Sequence, residues 1–195
     1  LPEAPHEARP WCTPASPADH WERPCGPLTR LDPDAVAREL QEAAVVALGP
    51  GEWVRGVADP YVYLTPAAAQ LPVERRAQLM EALKARARQH PEVERVVETL
   101  TVPARCEEGE SVESLLCRSI PADSGAALYL QGRAGAFFDA GYVPGRGASH
   151  GSPYLFDRSV PLFVRAPGAV DAGRRIDEPI PFTRFREMAE RLLGL

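Results

Sequence analysis

Residues 32–64 read DPDAVARELQEAAVVALGPGEWVRGVADPYVYL, one helical pattern followed by two strand patterns. Asp32 can cap the helix, and Pro33 at its first position has the right φ and no donor to waste. Val36, Leu40, Ala44 and Ala47 then keep helical spacing until Gly49-Pro50 stops the run. Trp53, Val54 and Val57, and then Tyr61 to Leu64, read as strands parted by Asp59-Pro60. A helix feeding a pair of strands sets the expectation for the rest of the chain.

The alternation continues. Pro72 opens a second helix running through Arg88, with Ala77, Met80, Leu83 and Ala87 inward, arginines outward and Pro91 closing it. Val93 to Val102 is β-branched and predicts a strand. Ser111 can cap a short helix carrying Val112, Leu115 and Leu116, and Ala126 to Gln131 predicts the next strand. Further strand character lies at Val160 to Val164. A last helix from Thr183 places Phe185, Met188, Ala189 and Leu192 on one face. The fold class expected is α/β or α+β, a mixed sheet with helices packed on it.

Prolines crowd the start, from Pro2 to Pro27, so residues 1–30 read as an extended lead-in to a domain over residues 31–195. A chain of 195 residues can bury a core of its own. The apolar fraction of 45% and charged fraction of 25% are those of a globular protein, and no apolar run has the length of a membrane span. A net charge of −5 without a basic, aromatic-studded stripe excludes a nucleic-acid polymer as the expected partner. The chain starts at Leu1, so the expectation is a processed or excised piece. Cys12/Cys25 and Cys106/Cys117 form two close pairs, compatible with disulfides in an exported protein. A buried thiol at Cys117 is the alternative.

Few residues invite chemistry. His90 precedes Pro91 at a helix end, where a structural role suffices. His6, Cys12, His20 and Cys25 are zinc-type donors, but their spacing fits no compact knuckle. Asp19-His20 follows a stretch too rich in proline to present it from a buried strand. The chain has no P-loop or His-Glu-x-x-His motif.

A more specific signal begins at Ser149, where the chain reads SHGSPYLFDRSVPLFV. His150-Gly151-Ser152-Pro153-Tyr154, then Asp157, Val160-Pro161 and Pro167-Gly168, resemble the C-terminal signature of the alkaline phosphatase superfamily. The branch it resembles is that of type I phosphodiesterases (nucleotide pyrophosphatases) and phosphate-irrepressible alkaline phosphatases. Glu52-Trp53-Val54 with Pro60 to Leu64 looks like that branch's inserted β segment. Arg118-Ser119 with Ser124-Gly125, and Pro179 with Thr183 and the Leu192–Leu195 end, follow in the same order. The resemblance covers about residues 31–195 and implies the C-terminal part of an alkaline phosphatase-like fold.

By that resemblance His150 would be one ligand of a two-zinc site, a neutral imidazole offered from a short turn. The nucleophile and remaining ligands of the family lie upstream of this region and have no match here. Asp123, Ala126 and Arg184 also depart from the family's residues. The expectation is therefore the C-terminal part of a zinc-dependent phosphoester hydrolase, inactive alone, whose partner is a missing N-terminal catalytic half. Its substrate would be a phosphate ester and its location periplasmic or extracellular. The alternatives are a non-catalytic binding module on the same scaffold, or a sulfatase or phosphoglycerate mutase relative. Arg146, Arg158 and Arg165 suit phosphate geometry, although solvation explains each more simply. Strands at Ala126 and Val160 without the missing half would leave sticky edges and apolar faces, so the further expectation is either a homodimer through that surface or a self-sufficient antiparallel sheet.

Overall fold

A computed structural model describes residues 29–194 apart from 110, 122, 140–150, 159, 161, 172 and 177–179. The chain divides into two compact units, Leu1–Ser159 and Val160–Leu195. In the first, strand β1 (Thr29–Leu31) leads into helix α1 (Pro33–Leu48), then β2 (Val54–Ala58), β3 (Tyr61–Leu64), a one-turn α2 (Pro66–Ala69) and α3 (Val73–Arg88). Then come β4 (Val93–Glu98), α4 (Val112–Ser119), β5 (Leu128–Gly132), β6 (Ala136–Phe138) and the short α5 (Leu155–Arg158).

The opening stretch folds as its residues dictate. The Asp32 carboxylate accepts from the N–H groups of Asp34 and Ala35, and Pro33, Val36, Leu40, Ala44 and Leu48 are buried along one stripe of α1. Gly49, at φ +88°, takes the chain out of the helix. Gln41 in α1 then fixes the entry to β2. Its Oε1 accepts from the Trp53 and Val54 N–H groups, each at 2.9 Å, and its Nε2 donates to the Gly51 carbonyl at 2.7 Å.

Four strands make an antiparallel sheet in the order β2-β3-β5-β4. Strand alternation gives it two working faces. Leu128 and Leu130 join Val62, Leu79 and Leu83 in a core under α1 and α3. Tyr129 points the other way, onto Val112, Leu116 and Ile120 of α4 and its C-terminal end. There it meets Tyr61 edge to face, with ring centroids 5.1 Å apart. The architecture is α+β: two long helices, a sheet, and one short helix on the far face.

Beside it, β1 and β6 pair in parallel, Thr29 opposite Ala136 through Leu31 opposite Phe138. Parallel neighbours need a crossover, and here the crossover is the whole α+β layer. Leu31 and Phe138 are buried in the same core as α1 and α3. A disulfide joins Cys106 to Cys117, tying the approach of α4 to the helix itself and closing the alternative of a free thiol. Arg118 holds the same approach by donating to the carbonyls of Glu107 and Gly109, at 2.8 and 2.6 Å.

Several expectations need correction. Helix α3 turns Leu79, Met80, Leu83 and Ala87 inward, while Ala77 is exposed. The larger Leu79 side chain gains more by burial than Ala77 does, and that difference sets the helix rotation. Strand β4 stops at Glu98, where Thr99–Thr101 form a 3-10 turn. The Thr99 hydroxyl donates to the Ala126 carbonyl, and the Thr101 hydroxyl to the Glu98 carbonyl, drawing the chain out of the ladder. Regular structure starts at β1, ahead of Asp32.

In the second unit Val160 and residues 162–164 form no strand, and Phe163 is 90% exposed. Pro161 brings no N–H to a ladder, and these residues have no strand partner among the described residues. A 3-10 turn at Phe182–Arg184 precedes α6 (Phe185–Leu193), which ends at Gly194 in the left-handed region. Arg186 pairs with Glu190 and Arg191 with Glu187 along its outer side.

Two stability measurements follow. Leu83 is fully buried, so Leu83→Ala should lower the unfolding free energy by about 3 kcal/mol in urea melts. Replacing Cys106 and Cys117 together by Ala should cost about 2–3 kcal/mol, the scale expected for so short a closed loop.

Candidate functional site

His150 lies outside the described residues, as do His6, Cys12, Asp19, His20, Cys25 and Arg146. The turn that follows His150, from Gly151 to Arg158, is described and is built with unusual constraint. Gly151 sits at φ +102°, a conformation that other residues rarely adopt. The Ser152 N–H donates to the Asp157 carboxylate at 2.6 Å, closing the turn across five residues. The Asp157 and Arg158 N–H groups donate to the Tyr154 carbonyl, starting α5. Arg158 folds back so that its Nε donates to the Pro153 carbonyl at 2.7 Å. That contact gives Arg158 a structural function; Arg165 is exposed.

Tyr154 fastens this turn to the sheet. The residue is 3% exposed, and its hydroxyl stands 2.9 Å from both the Glu94 carboxylate and the Gly132 carbonyl. One phenolic proton is therefore shared between two acceptors. Around it, Gln131 Nε2 donates to the same Gly132 carbonyl at 2.6 Å, and Tyr129 donates to Gln131 Oε1 at 3.3 Å. Glu94, itself nearly buried, also meets Arg95, which reaches on to Glu113. Burial first, and then the Glu94 carboxylate, push the Tyr154 hydroxyl well above the ordinary tyrosine range. Burial also pushes Tyr129 up, to about 12.

The Ser152 hydroxyl is a contrasting case. Its Oγ is buried and has no hydrogen-bond partner among the described residues. Such an atom forgoes about 1–3 kcal/mol of solvation without recompense.

His90 stands apart from this turn. Its Nδ1 lies 2.9 Å from the Glu92 carboxylate and its Nε2 3.8 Å from that of Glu39, which also takes Arg86. The ring thus pairs with carboxylates instead of capping helix carbonyls, because Glu92 is only two residues on. Among the described residues no group of three or more His, Cys, Asp or Glu could hold a metal ion. Among them, too, no helix is long and apolar enough to cross a membrane.

Compared with family models, curated proteins and solved structures, the chain matches none. The functional reading therefore rests on the turn and on what its residues do.

Zinc, the metal implied by the resemblance, can be tested against those residues. The imidazole of His150 has the donor chemistry of a zinc ligand, and that residue lies outside the described ones. The described residues add no further ligand group, so they do not compose a zinc site by themselves.

Sequence reading passed over Tyr154, Glu94 and Asp157 as working parts. A glutamate within the β-branched run Val93–Val97 was the available signal, since a charge there needs a partner.

Both buried tyrosines have pKa values raised above the ordinary 10.0. The folded state thus keeps protons that the unfolded chain releases, and their contribution is complete below pH 10 and is lost as pH rises from there. Stability should fall between about pH 10 and 12 in denaturant melts. Tyr129→Phe and Tyr154→Phe together should flatten that fall.

Proposed function

We propose that this chain is the C-terminal part of a zinc-dependent phosphoester hydrolase of the alkaline phosphatase superfamily, with His150 as one zinc ligand. The observation that carries the reading is the division of labour in SHGSPYLFD. Gly151 makes the bend, Ser152 and Asp157 brace it, and Tyr154 fastens it down. Gly151, Ser152, Tyr154 and Asp157 thereby hold still the segment that follows the histidine.

The strand pairing supports the same reading. An α+β layer that leaves and re-enters through neighbouring parallel strands, β1 and β6, has the form of an insertion in a larger parallel sheet. The upstream half would supply that sheet, together with the nucleophile and the other ligands. The Cys106–Cys117 disulfide supports an oxidising location, periplasmic or extracellular.

In the complete enzyme zinc would activate the nucleophile and offset charge on the phosphoryl oxygens. What this chain's residues contribute is one imidazole and its placement. The described turn holds the residues that follow that histidine, and the buried Tyr154–Glu94–Gln131 network keeps the supporting strands in register. By themselves these residues carry out no hydrolysis.

The test uses the full natural gene product and this chain, both given zinc and assayed on phosphate mono- and diesters. The full product should hold zinc and turn over, and this chain should not turn over. His150→Ala should lower the zinc affinity of the full product by more than the roughly 10–100-fold that loss of an outer-shell partner costs. Turnover by this chain alone, or unchanged zinc affinity and rate in the variant, would overturn the proposal. A full product that binds neither zinc nor phosphate esters would identify a non-catalytic module instead.

A further inference from the structure

We propose that the part of the far sheet face left open beside α4 binds a small organic cation, a methylated ammonium group held by Asp59, Tyr61 and Tyr63. The inference goes beyond the functional reading above and does not depend on it. Helix α4 covers Tyr129 with Val112, Leu116 and Ile120, and Tyr61 packs at the margin of that cluster. Val62 and Leu64 turn to the opposite core, so alternation along β3 puts Tyr63 on the same face as Tyr61. The register sets Gly56 opposite Tyr63 and Ala58 opposite Tyr61. Neither neighbour has a side chain large enough to cover a ring, and a Cβ added at Gly56 would meet nothing within 4 Å. Both tyrosines therefore stay half-exposed beside an open floor.

Charge decides what such a surface accepts. Asp59, in the turn between Ala58 and Tyr61, is exposed and pairs with no cation among the described residues. Burial first, then Tyr63 and Asp59, push the Tyr61 hydroxyl up. The Tyr129 hydroxyl is pushed up by burial, then by Tyr61 and again by Asp59. The carboxylate thus stands close to the tyrosines, and its charge is unanswered. Aromatic ring faces are electron-rich and attract cations, and a neighbouring carboxylate adds to the attraction. A phosphate or carboxylate ligand would be repelled by the same charge. A methylated ammonium suits both parts of the surface, since its methyl groups can rest on the rings while its charge answers Asp59.

An NMR titration of this chain with tetramethylammonium chloride, sodium chloride being withdrawn to hold the ionic strength, tests the proposal. The Gly56, Ala58 and Asp59 amide signals and the Tyr61 and Tyr63 ring signals should shift and saturate. The neutral analogue tert-butanol, of similar size, should leave them in place. Asp59 stands at φ +23°, and Asp59→Asn keeps a residue that tolerates such a backbone while removing the charge. That variant and Tyr63→Leu should each weaken binding about 2–5-fold. Gly56→Val puts a side chain over the open floor and should abolish the shifts, with the unfolding midpoint kept or raised. Shifts that never saturate, or an equal response to tert-butanol, would overturn the proposal. Unchanged affinity in Asp59→Asn would overturn it too, and that variant decides the matter if Gly56→Val fails to fold.

Discussion

Strand β5 is the constraint on which the first unit depends, because it is buried at all five positions and serves two cores. Leu128 and Leu130 close the core beneath α1 and α3, while Tyr129 closes the one beneath α4. Its flanking strands, β3 and β4, pair with it from opposite sides. Its last residue does a further task. A Cβ on Gly132 would meet the Ala136 carbonyl at 2.9 Å, so only glycine lets the chain double back closely into β6. The same residue's carbonyl receives Tyr154. Sheet, reversal and turn thus meet at one peptide group.

This concentration explains the division between firm and bare parts of the molecule. The first unit combines apolar burial with a polar network whose members satisfy one another: Tyr154, Glu94, Arg95, Gln131 and Tyr129. Buried polar groups tolerate such a location only when they are paired, and paired they impose a definite geometry. The second unit has a different balance. Its helix α6 has no buried residue, and Phe182 and Leu193 are largely exposed. Surface ion pairs at i, i+4 support that helix by only about 0.3–0.5 kcal/mol each.

Local signals were legible in the sequence where local physics decides. Asp32-Pro33 and Ser111 cap helices as expected, and Asp59-Pro60 divides β2 from β3. Features that depend on distant partners were not. The pairing of β1 with β6 joins residues about a hundred positions apart through strands of three residues, too short to show a period. The rotation of α3 was decided by Leu79 finding the sheet, which Ala77 could not outweigh. Val160–Val164 has strand composition, yet a strand is formed by its neighbours and not by composition alone. The candidate site divides likewise. His150 is singled out by the motif around it and lies outside the described residues, whereas the contacts of Tyr154 arise only when β4 and β5 bring Glu94 and Gly132 together.

The central claim is that Tyr154 and Glu94 act as one unit holding the turn to the sheet. A double-mutant cycle of Tyr154→Phe and Glu94→Leu, read as unfolding free energies in urea, measures this directly. A hydrogen bond with a charged acceptor in a buried setting predicts a coupling of about 1–3 kcal/mol. Free energies that simply add would contradict it.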